Sequence, residues 1–412
     1  MVKAVRWRAV VLIGGLCLVA GAPAWADATD EKITQLEAQM RSLQAQVEQL
    51  KRERAADRKE LAAVKEARPE VLGLEMPQNT GVMVTGYVDL EYRDAENASK
   101  TFDNHHFNPI FLGMLGDNLF AQAEIEYEHG GSEVELEYAT LAYFLNDYVT
   151  LEGGKFIVPF GEFNERLHPS WINKFPGRPI VFDEVLPGTW SEVGAQVHGA
   201  VGLNKFLGVA RPVDAEYSVY LVNGLEGAAG ASLRNLTGND TNNDDNIAIG
   251  GRTGLRVLPW GNVGISGYHG AYTTDGNLDI SMGGVDAAVF LTDLLELRGE
   301  YIYTWQEMVA RENLRKKGWY LQAAYSLSDL ANWLSDVPGS QHLGKAEIVT
   351  RYSQANLETT SGTNNQHEVG LGLNYYVKPS FVWRVAYEWS QENAGTAKVD
   401  DDLLYAQVAY GF

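Results

Sequence analysis

Residues 403–412, LLYAQVAYGF, end the chain on an alternating strand whose last residue is phenylalanine. Side chains in a strand alternate between two faces, so Leu404, Ala406, Val408, Tyr410 and Phe412 fall together on one of them. In a soluble protein that face would belong to an edge strand in need of a cover. Lipid is the other cover available.

The opposite end of the chain bears on the compartment. Lys3, Arg6 and Arg8 precede the apolar run AVVLIGGLCLVAG, and APAWA follows with Ala24 and Ala26 in the small-residue positions of a cleavage site. The run is shorter than the about 20 apolar residues of a spanning helix. Residues 1–26 therefore read as a secretory signal peptide. The single cysteine, Cys17, lies inside it, so a mature chain has no disulfide and no thiolate metal site.

Composition narrows the class further. There are 42 glycines, 11% aromatic residues and only 13 prolines, without a long apolar run after the leader. A large all-β chain whose strands are each half polar looks like this; a bundle of apolar helices does not. The net charge is −21, or −24 without Lys3, Arg6 and Arg8, which excludes nucleic acid as a natural partner.

Residues 27–70 have another period. Ile33, Leu36, Met40, Leu43, Val47, Leu50, Leu61 and Val64 are spaced by threes and fours as a and d positions of a heptad, broken only at Arg54 and Asp57. The narrow stripe, flanked by Glu, Gln, Lys and Arg, predicts a periplasmic α-helical coiled coil, followed by a linker over 71–80. Its a and d residues do not decide between two and three strands.

From residue 81 onward the period is two. Leu119, Ala121, Ala123, Ile125 and Tyr127 alternate with Gln122, Glu124, Glu126 and Glu128; Val134, Leu136 and Tyr138 alternate with Glu133, Glu135 and Glu137. Near the end Phe381, Trp383, Val385, Tyr387 and Trp389 alternate with Val382, Arg384, Ala386 and Glu388. Each run matches the roughly 9–11 residues of a tilted membrane strand. Tight links at GDN, LND, PWGN, TDL and KPS alternate with long polar ones such as RDAENASKTFDNHH, QEMVARENLRKK and NLETTSGTNNQ, as short periplasmic turns alternate with long outer loops. Counting in this way predicts an all-β transmembrane barrel of about 16 antiparallel strands over 81–412. NKFLGVARPVD and SDLANWLSDVPGSQH are long where a turn is expected. Aromatic residues gather near strand ends, as at a membrane interface, so outer-membrane lipid covers the face of the last strand.

One link stands apart. After YVTLEGGKFIVPFG, the fifth strand, about 30 residues pass before alternation resumes at EVGAQVHGAV. This stretch, about 160–191, is rich in Trp, Phe, Ile and Pro and should be ordered; in a barrel of this size it would fold inward as a constriction. Its charges, Glu162, Glu165, Arg166, Lys174, Arg178, Asp183 and Glu184, with His168 beside Pro169, are the candidate pore residues. On the wall, Glu124, Glu126, Glu128, Glu133, Glu135, Glu137, Arg252, Arg256, Arg298, Arg351 and Arg384 have lumen parity. Lys155 is out of parity unless a bulge at Gly153 or Gly154 restores it.

GGKFIVPFG, the long loop after it and a terminal Phe with Tyr two residues before together resemble the phosphate-selective porin O and P family over roughly residues 80–412. The resemblance implies a homotrimer of about 16-stranded barrels, each with its own water-filled pore. A coiled coil ahead of the barrel also resembles the sugar-specific porins. Phosphate-selecting members line their pore with arginines and lysines, and here the sequence departs: residues 27–70 carry nine cations and ten anions, leaving −23 on residues 71–412. The loop and wall charges predict a weak lean towards cations.

No phosphate-binding glycine loop, HExxH or GxSxG occurs, and no cofactor is implied. His105 and His106 read as a solvated pair in an outer loop, not as metal ligands; His168 is the histidine placed to matter. The leading reading is a passive diffusion channel for small hydrophilic solutes or ions. An outer-membrane enzyme, or a barrel sheathing a periplasmic partner, are the alternatives.

Overall fold

Alternation of apolar and polar residues gives each strand one face for lipid and one for water, and pairing every backbone group requires that the sheet close on itself. The computed structural model describes residues 80–412 apart from Asn239, Asn243, Ala310, Gly395 and Thr396; the expected leader, coiled coil and most of the linker lie outside the described residues. Sixteen strands form the barrel. They are β1 (Gly81–Ala95), β2 (His106–Leu115), β3 (Leu119–Glu128), β4 (Glu133–Asn146) and β5 (Val149–Ile157), then β6 (Ser191–Gly202), β7 (Val213–Val222) and β8 (Ala248–Val257). After these come β9 (Gly261–Ala271), β10 (Asp279–Thr292), β11 (Leu295–Gln306), β12 (Leu314–Ser326), β13 (Ala346–Thr359), β14 (Gly362–Lys378), β15 (Phe381–Ala394) and β16 (Leu403–Gly411). Each is antiparallel to its neighbours.

Closure is made by the two ends of the described chain. β16 pairs with β1 from Tyr87↔Gly411 to Ala95↔Leu403. Beyond it, the Gly86 N–H donates to the Phe412 carbonyl at 3.1 Å and the Phe412 N–H to the Gly86 carbonyl at 2.9 Å. The face of the last strand is accordingly an outer wall of a closed barrel and not an open edge.

The parity reading holds along the wall. On β15, Val382, Arg384, Ala386 and Glu388 are buried, whereas Trp383, Val385 and Trp389 are exposed. Leu221, Ile249, Ile265, Val285, Leu321, Ile348 and Leu371 continue the exposed apolar belt. No helix among the described residues is long and apolar enough to cross a membrane; the crossing is made by strands.

Three links differ from a plain alternation of turns and loops. NLETTSGTNNQ is not a long loop: β13 and β14 run through it, pairing Asn356↔Asn365 and Leu357↔Asn364 around Thr360 and Ser361. Its polar side chains sit on strand extensions. The two overlong links are as long as expected, yet leave the count intact because each carries helix. Asn204–Leu207 ends at Gly208 with φ 67°, and Ser328–Trp333 precedes a 3-10 stretch, Ser340–Lys345.

Candidate functional site

Residues 158–190 leave β5 and return to β6 by way of the lumen. A clamp at the base turns them inward: the Val158 N–H donates to the Trp190 carbonyl at 2.9 Å. Asn164 ties the same neck, donating to the Val158 carbonyl at 2.8 Å and accepting from the Trp190 N–H at 3.2 Å. Gly161, at φ 69°, lets the backbone pass against β11, where an added Cβ would stand 2.1 Å from a Glu300 oxygen. Glu300 then accepts the Phe163 N–H at 2.7 Å, and the Gly161 N–H donates to Ser266 at 3.0 Å.

The apolar residues that set this loop apart in the sequence form a small core against one side of the barrel. Phe163 stacks on Phe182 with ring centres 4.5 Å apart, and Tyr320 meets both edge-on. Val158, Phe160, Ile180, Val181, Val185, Leu186 and Trp190 are buried with wall residues Tyr220, Tyr268, Ile280 and Ile302. Each such side chain contributes about 1.5–3 kcal/mol on burial, so packing holds the loop before any charge is counted. Phe175 makes a second contact, with Ala324, Val349, Ala386 and Tyr405.

The lumen arginines are fasteners. Arg351 donates to the Gly177 and Arg178 carbonyls at 2.8 and 3.2 Å and pairs with Glu388 at 2.7 Å and Glu368 at 3.0 Å. Arg384 donates to the Ser170 carbonyl, to that of Trp171 at 3.2 Å, and to Gln407. Arg252 is bound to Asp286 at 2.6 Å, Arg298 to Glu296 at 2.5 Å and Glu162 at 3.6 Å. Arg256 lies 3.8 Å from Glu216 and 3.9 Å from Asp214. These residues lie on the lumen side, where carboxylates neutralise Arg252, Arg256, Arg298 and Arg351 while neutral oxygens engage Arg384.

The same holds for part of the loop. Lys174 binds Glu347 at 2.6 Å and Glu296 at 3.2 Å, and Glu162 accepts from Asn262 at 2.7 Å. Arg166 pairs with Glu216 at 2.6 Å and with Glu165 at 3.2 Å; both loop residues line a smaller cavity of about 320 Å³ beside Asp147, Tyr148 and Arg252. Glu184 faces Arg234 and Gln366. His168, Arg178 and Asp183 are the three predicted loop residues that line the main cavity.

That cavity, about 870 Å³, lies between the polar side of the loop and the wall of β1–β5. Glu126, Glu128, Glu133, Glu135, Glu137, Asp183 and Asp240 line it against Arg93, Lys155, Arg178 and Arg234, so carboxylates outnumber fixed cations seven to four. Glu124 is buried behind the surface, where Asn108 donates to it at 2.8 Å and to Glu126 at 3.1 Å. Lys155 does reach the lumen, 3.5 Å from Glu135. The anticipated bulge is absent from the β5 pairing. Gly154 at φ 130° redirects the strand instead, where a Cβ would stand 2.2 Å from the Ala139 carbonyl.

His168 Nδ1–H donates to the Asn164 carbonyl at 2.8 Å, leaving Nε2 as acceptor. Burial, reinforced by the Arg178 guanidinium, pushes this imidazole down to about 3. The solvated pair expected at His105 and His106 is a correction: both lie in the cavity wall, with His106 buried and its Nδ1 2.9 Å from Asp89. Asp89, Glu91 and Arg93 were not singled out from the sequence, although VDLEYR places all three on lumen parity with Tyr87.

A family model described as phosphate-selective porin O and P matches residues 111–412. The chain belongs to this family. Membership in this porin family places the barrel in an outer membrane. A protein of Aquifex aeolicus (strain VF5) described as uncharacterized is 29% identical over 194 residues. The match covers 43% of this porin and 41% of that relative, less than half its length. The anion-selective porin from Comamonas acidovorans superposes with a TM-score of 0.57 at 12% identity, over 81% of this chain and 100% of that one. The trimer form of OmpT, an outer membrane protein of Vibrio cholerae, gives 0.54 at 12% identity, over 81% and 99%. At that identity the likeness is one of fold.

Proposed function

We propose that this porin is a passive diffusion channel for small hydrophilic solutes and ions, in which the loop 158–190 sets the size limit. The observation that carries the reading is the loop itself, fixed across the lumen by a packed core and by arginine bonds to its carbonyls, with a polar cavity of about 870 Å³ left between it and the wall of β1–β5. Filtration needs no further chemistry: the gap excludes large solutes, and the charges along it bias the rest.

The channel leans weakly towards cations. The arginines at 252, 256, 298, 351 and 384 are engaged with carboxylates or loop carbonyls, while the cavity lining keeps its surplus of carboxylates. Such charges beside a low-dielectric wall act with less screening than in bulk water. The test is the zero-current potential of the purified protein in a planar bilayer across a salt gradient, repeated with phosphate. A cation-signed potential that shrinks as salt rises, without phosphate block, supports the reading; an anion preference overturns it.

We further infer a homotrimer, following the family resemblance, with the segment 27–70 as a periplasmic coiled coil. Deleting 27–68 should leave a folded, inserted barrel, because the barrel's hydrogen bonds close on themselves. Heat-dependent mobility on a gel reads this, and loss of the folded form would make the segment part of the barrel's fold.

A further inference from the structure

The cavity wall opposite the loop gathers imidazoles and carboxylates from three neighbouring strands. His106 opens β2 and pairs in register with Glu128 on β3; Glu126 lies two residues before it on the same face, and Asp89 sits across on β1. Asp89 is almost fully buried and holds His106 twice. Its carboxylate accepts the His106 backbone N–H at 2.9 Å and lies 2.9 Å from Nδ1. In the neutral ring with Nδ1 donating to Asp89, the lone pair of His106 is on Nε2, the atom that lies 3.5 Å from Glu128 Oε1 and 3.7 Å from Glu126 Oε1.

Those separations exceed an ordinary hydrogen bond between such atoms. They suit two ligands of one ion: at metal–nitrogen and metal–oxygen distances near 2.1 Å, tetrahedral ligand atoms stand about 3.4 Å apart. A carboxylate behind a histidine is also how proteins fix the tautomer and raise the basicity of a metal-bound imidazole. The charge fits as well. Asp89, Glu91, Glu126 and Glu128 outnumber the guanidiniums around them: Arg93, bound to Glu91 at 2.7 Å, and Arg384, whose charge acts on Asp89 and Glu91 from the other side. His105 meets His106 edge-on with ring centres 3.9 Å apart, and its Nδ1 has no hydrogen-bond partner among the described residues. His105, His106, Glu126 and Glu128 all line the cavity, so an ion arriving in it meets them directly.

We propose that His106, Glu126 and Glu128, oriented by Asp89, bind a first-row divalent cation of borderline softness, with Zn²⁺ as the representative, in the cavity wall of the barrel. The mixed nitrogen and carboxylate set favours Zn²⁺, Co²⁺ or Ni²⁺ over Ca²⁺ or Mg²⁺, which prefer oxygen alone. Three protein ligands leave a coordination position open to the cavity, where water or a solute anion completes the shell. The site itself stands on barrel geometry; only its effect on current rests on the channel reading.

The full chain in detergent is titrated with Zn²⁺ by calorimetry and with Co²⁺ by visible absorption. Saturable binding of one ion per chain is expected, with the intense d–d bands of four- or five-coordinate Co²⁺. His106→Gln and Glu128→Gln should each weaken binding at least tenfold, and Asp89→Asn by roughly tenfold, the usual cost of losing an outer carboxylate. His342→Gln, whose imidazole instead contacts Tyr375 on the exposed surface, should change nothing. Heat-dependent mobility checks folding, and Glu128, the more exposed ligand, provides a variant that does not open the buried Asp89 pair. Absence of saturable Zn²⁺ binding, or binding undiminished in both His106→Gln and Glu128→Gln, overturns the proposal: Asp89 and the two glutamates would then be holding an imidazolium only. Binding lost in these variants but present in a protein that carries no current in bilayers would keep the site and overturn the channel reading.

Discussion

Arg351 on β13 donates to the carbonyl of Gly177 in the constriction loop across 2.8 Å, while Glu388 on β15 holds the same guanidinium at 2.7 Å. One side chain thus joins wall to loop. Removing it leaves Glu368 and Glu388 buried without a counter-charge, which costs about 3–5 kcal/mol. Arg351→Leu should lower thermal stability and, by releasing the loop at Gly177, raise single-channel conductance. Arg351→Lys should fall between, since an ammonium keeps the charge but cannot serve two carboxylates and two carbonyls in one plane. Unchanged conductance in Arg351→Leu would mean that the aromatic core alone fixes the loop.

The end of the chain offers a second test. Phe412 exchanges backbone hydrogen bonds with Gly86, Thr85 donates to its carbonyl, and its ring lies 3.1 Å from where a Cβ on Gly86 would be. At φ 154°, Gly86 also lets the Asn108 carbonyl approach to 2.1 Å of that point. Gly86→Val should reduce the folded fraction more than deletion of Phe412, because the deletion removes only the last rungs of the β1–β16 seam. The yield of the heat-shifted folded band measures both. Equal yields would show that the seam tolerates a side chain at residue 86.

Parity, strand number and the inward loop were legible because they follow from local chemistry. A strand between lipid and water must alternate, and a loop rich in Phe, Trp and Ile must find an apolar surface. Charge pairing was not legible. Arg384 finds Ser170 and Trp171, and Arg166 finds Glu216, across stretches of chain that no local period links. Lumen parity therefore put the arginines on the inner face but could not tell that carboxylates or loop carbonyls engage them. The histidine cluster failed for the opposite reason: RDAENASKTFDNHH reads as a polar loop, yet its last residue begins β2. Asp89 and Glu91, both on visible lumen parity, were the signal that could have found it.

His168 makes the loop sensitive to acid. Its folded value is pushed down to about 3, well below the roughly 6.5 of a free imidazole. Between these values the undocked loop binds more protons than the docked one, so docking is strongest above pH 6.5 and weakens as pH falls towards 3. Hydrogen exchange of residues 163–168 should accelerate over that range in the wild type. In His168→Gln the acceleration should be smaller. An identical pH profile in the two proteins would assign acid sensitivity to the carboxylates around the cavity.

The glutamates of β4 provide the sharpest test of charge choice. Glu133, Glu135 and Glu137 all line the cavity, facing Arg178 and Arg234 on its other side. Replacing the three with glutamine keeps side-chain size and leaves four carboxylates against the four fixed cations, so the surplus that favours cations disappears. The zero-current potential should fall towards zero, most clearly in dilute salt, where the screening length of about 30 Å at 0.01 M spans the cavity. Arg256→Gln is the control: Arg256 lies with Glu216 and Asp214, away from this lining, and its loss should move the potential little. A triple variant as cation-selective as the wild type would shift the selecting charges elsewhere along the lumen. A larger effect from Arg256→Gln than from the triple variant would instead make the arginine side of the lumen the path that ions follow.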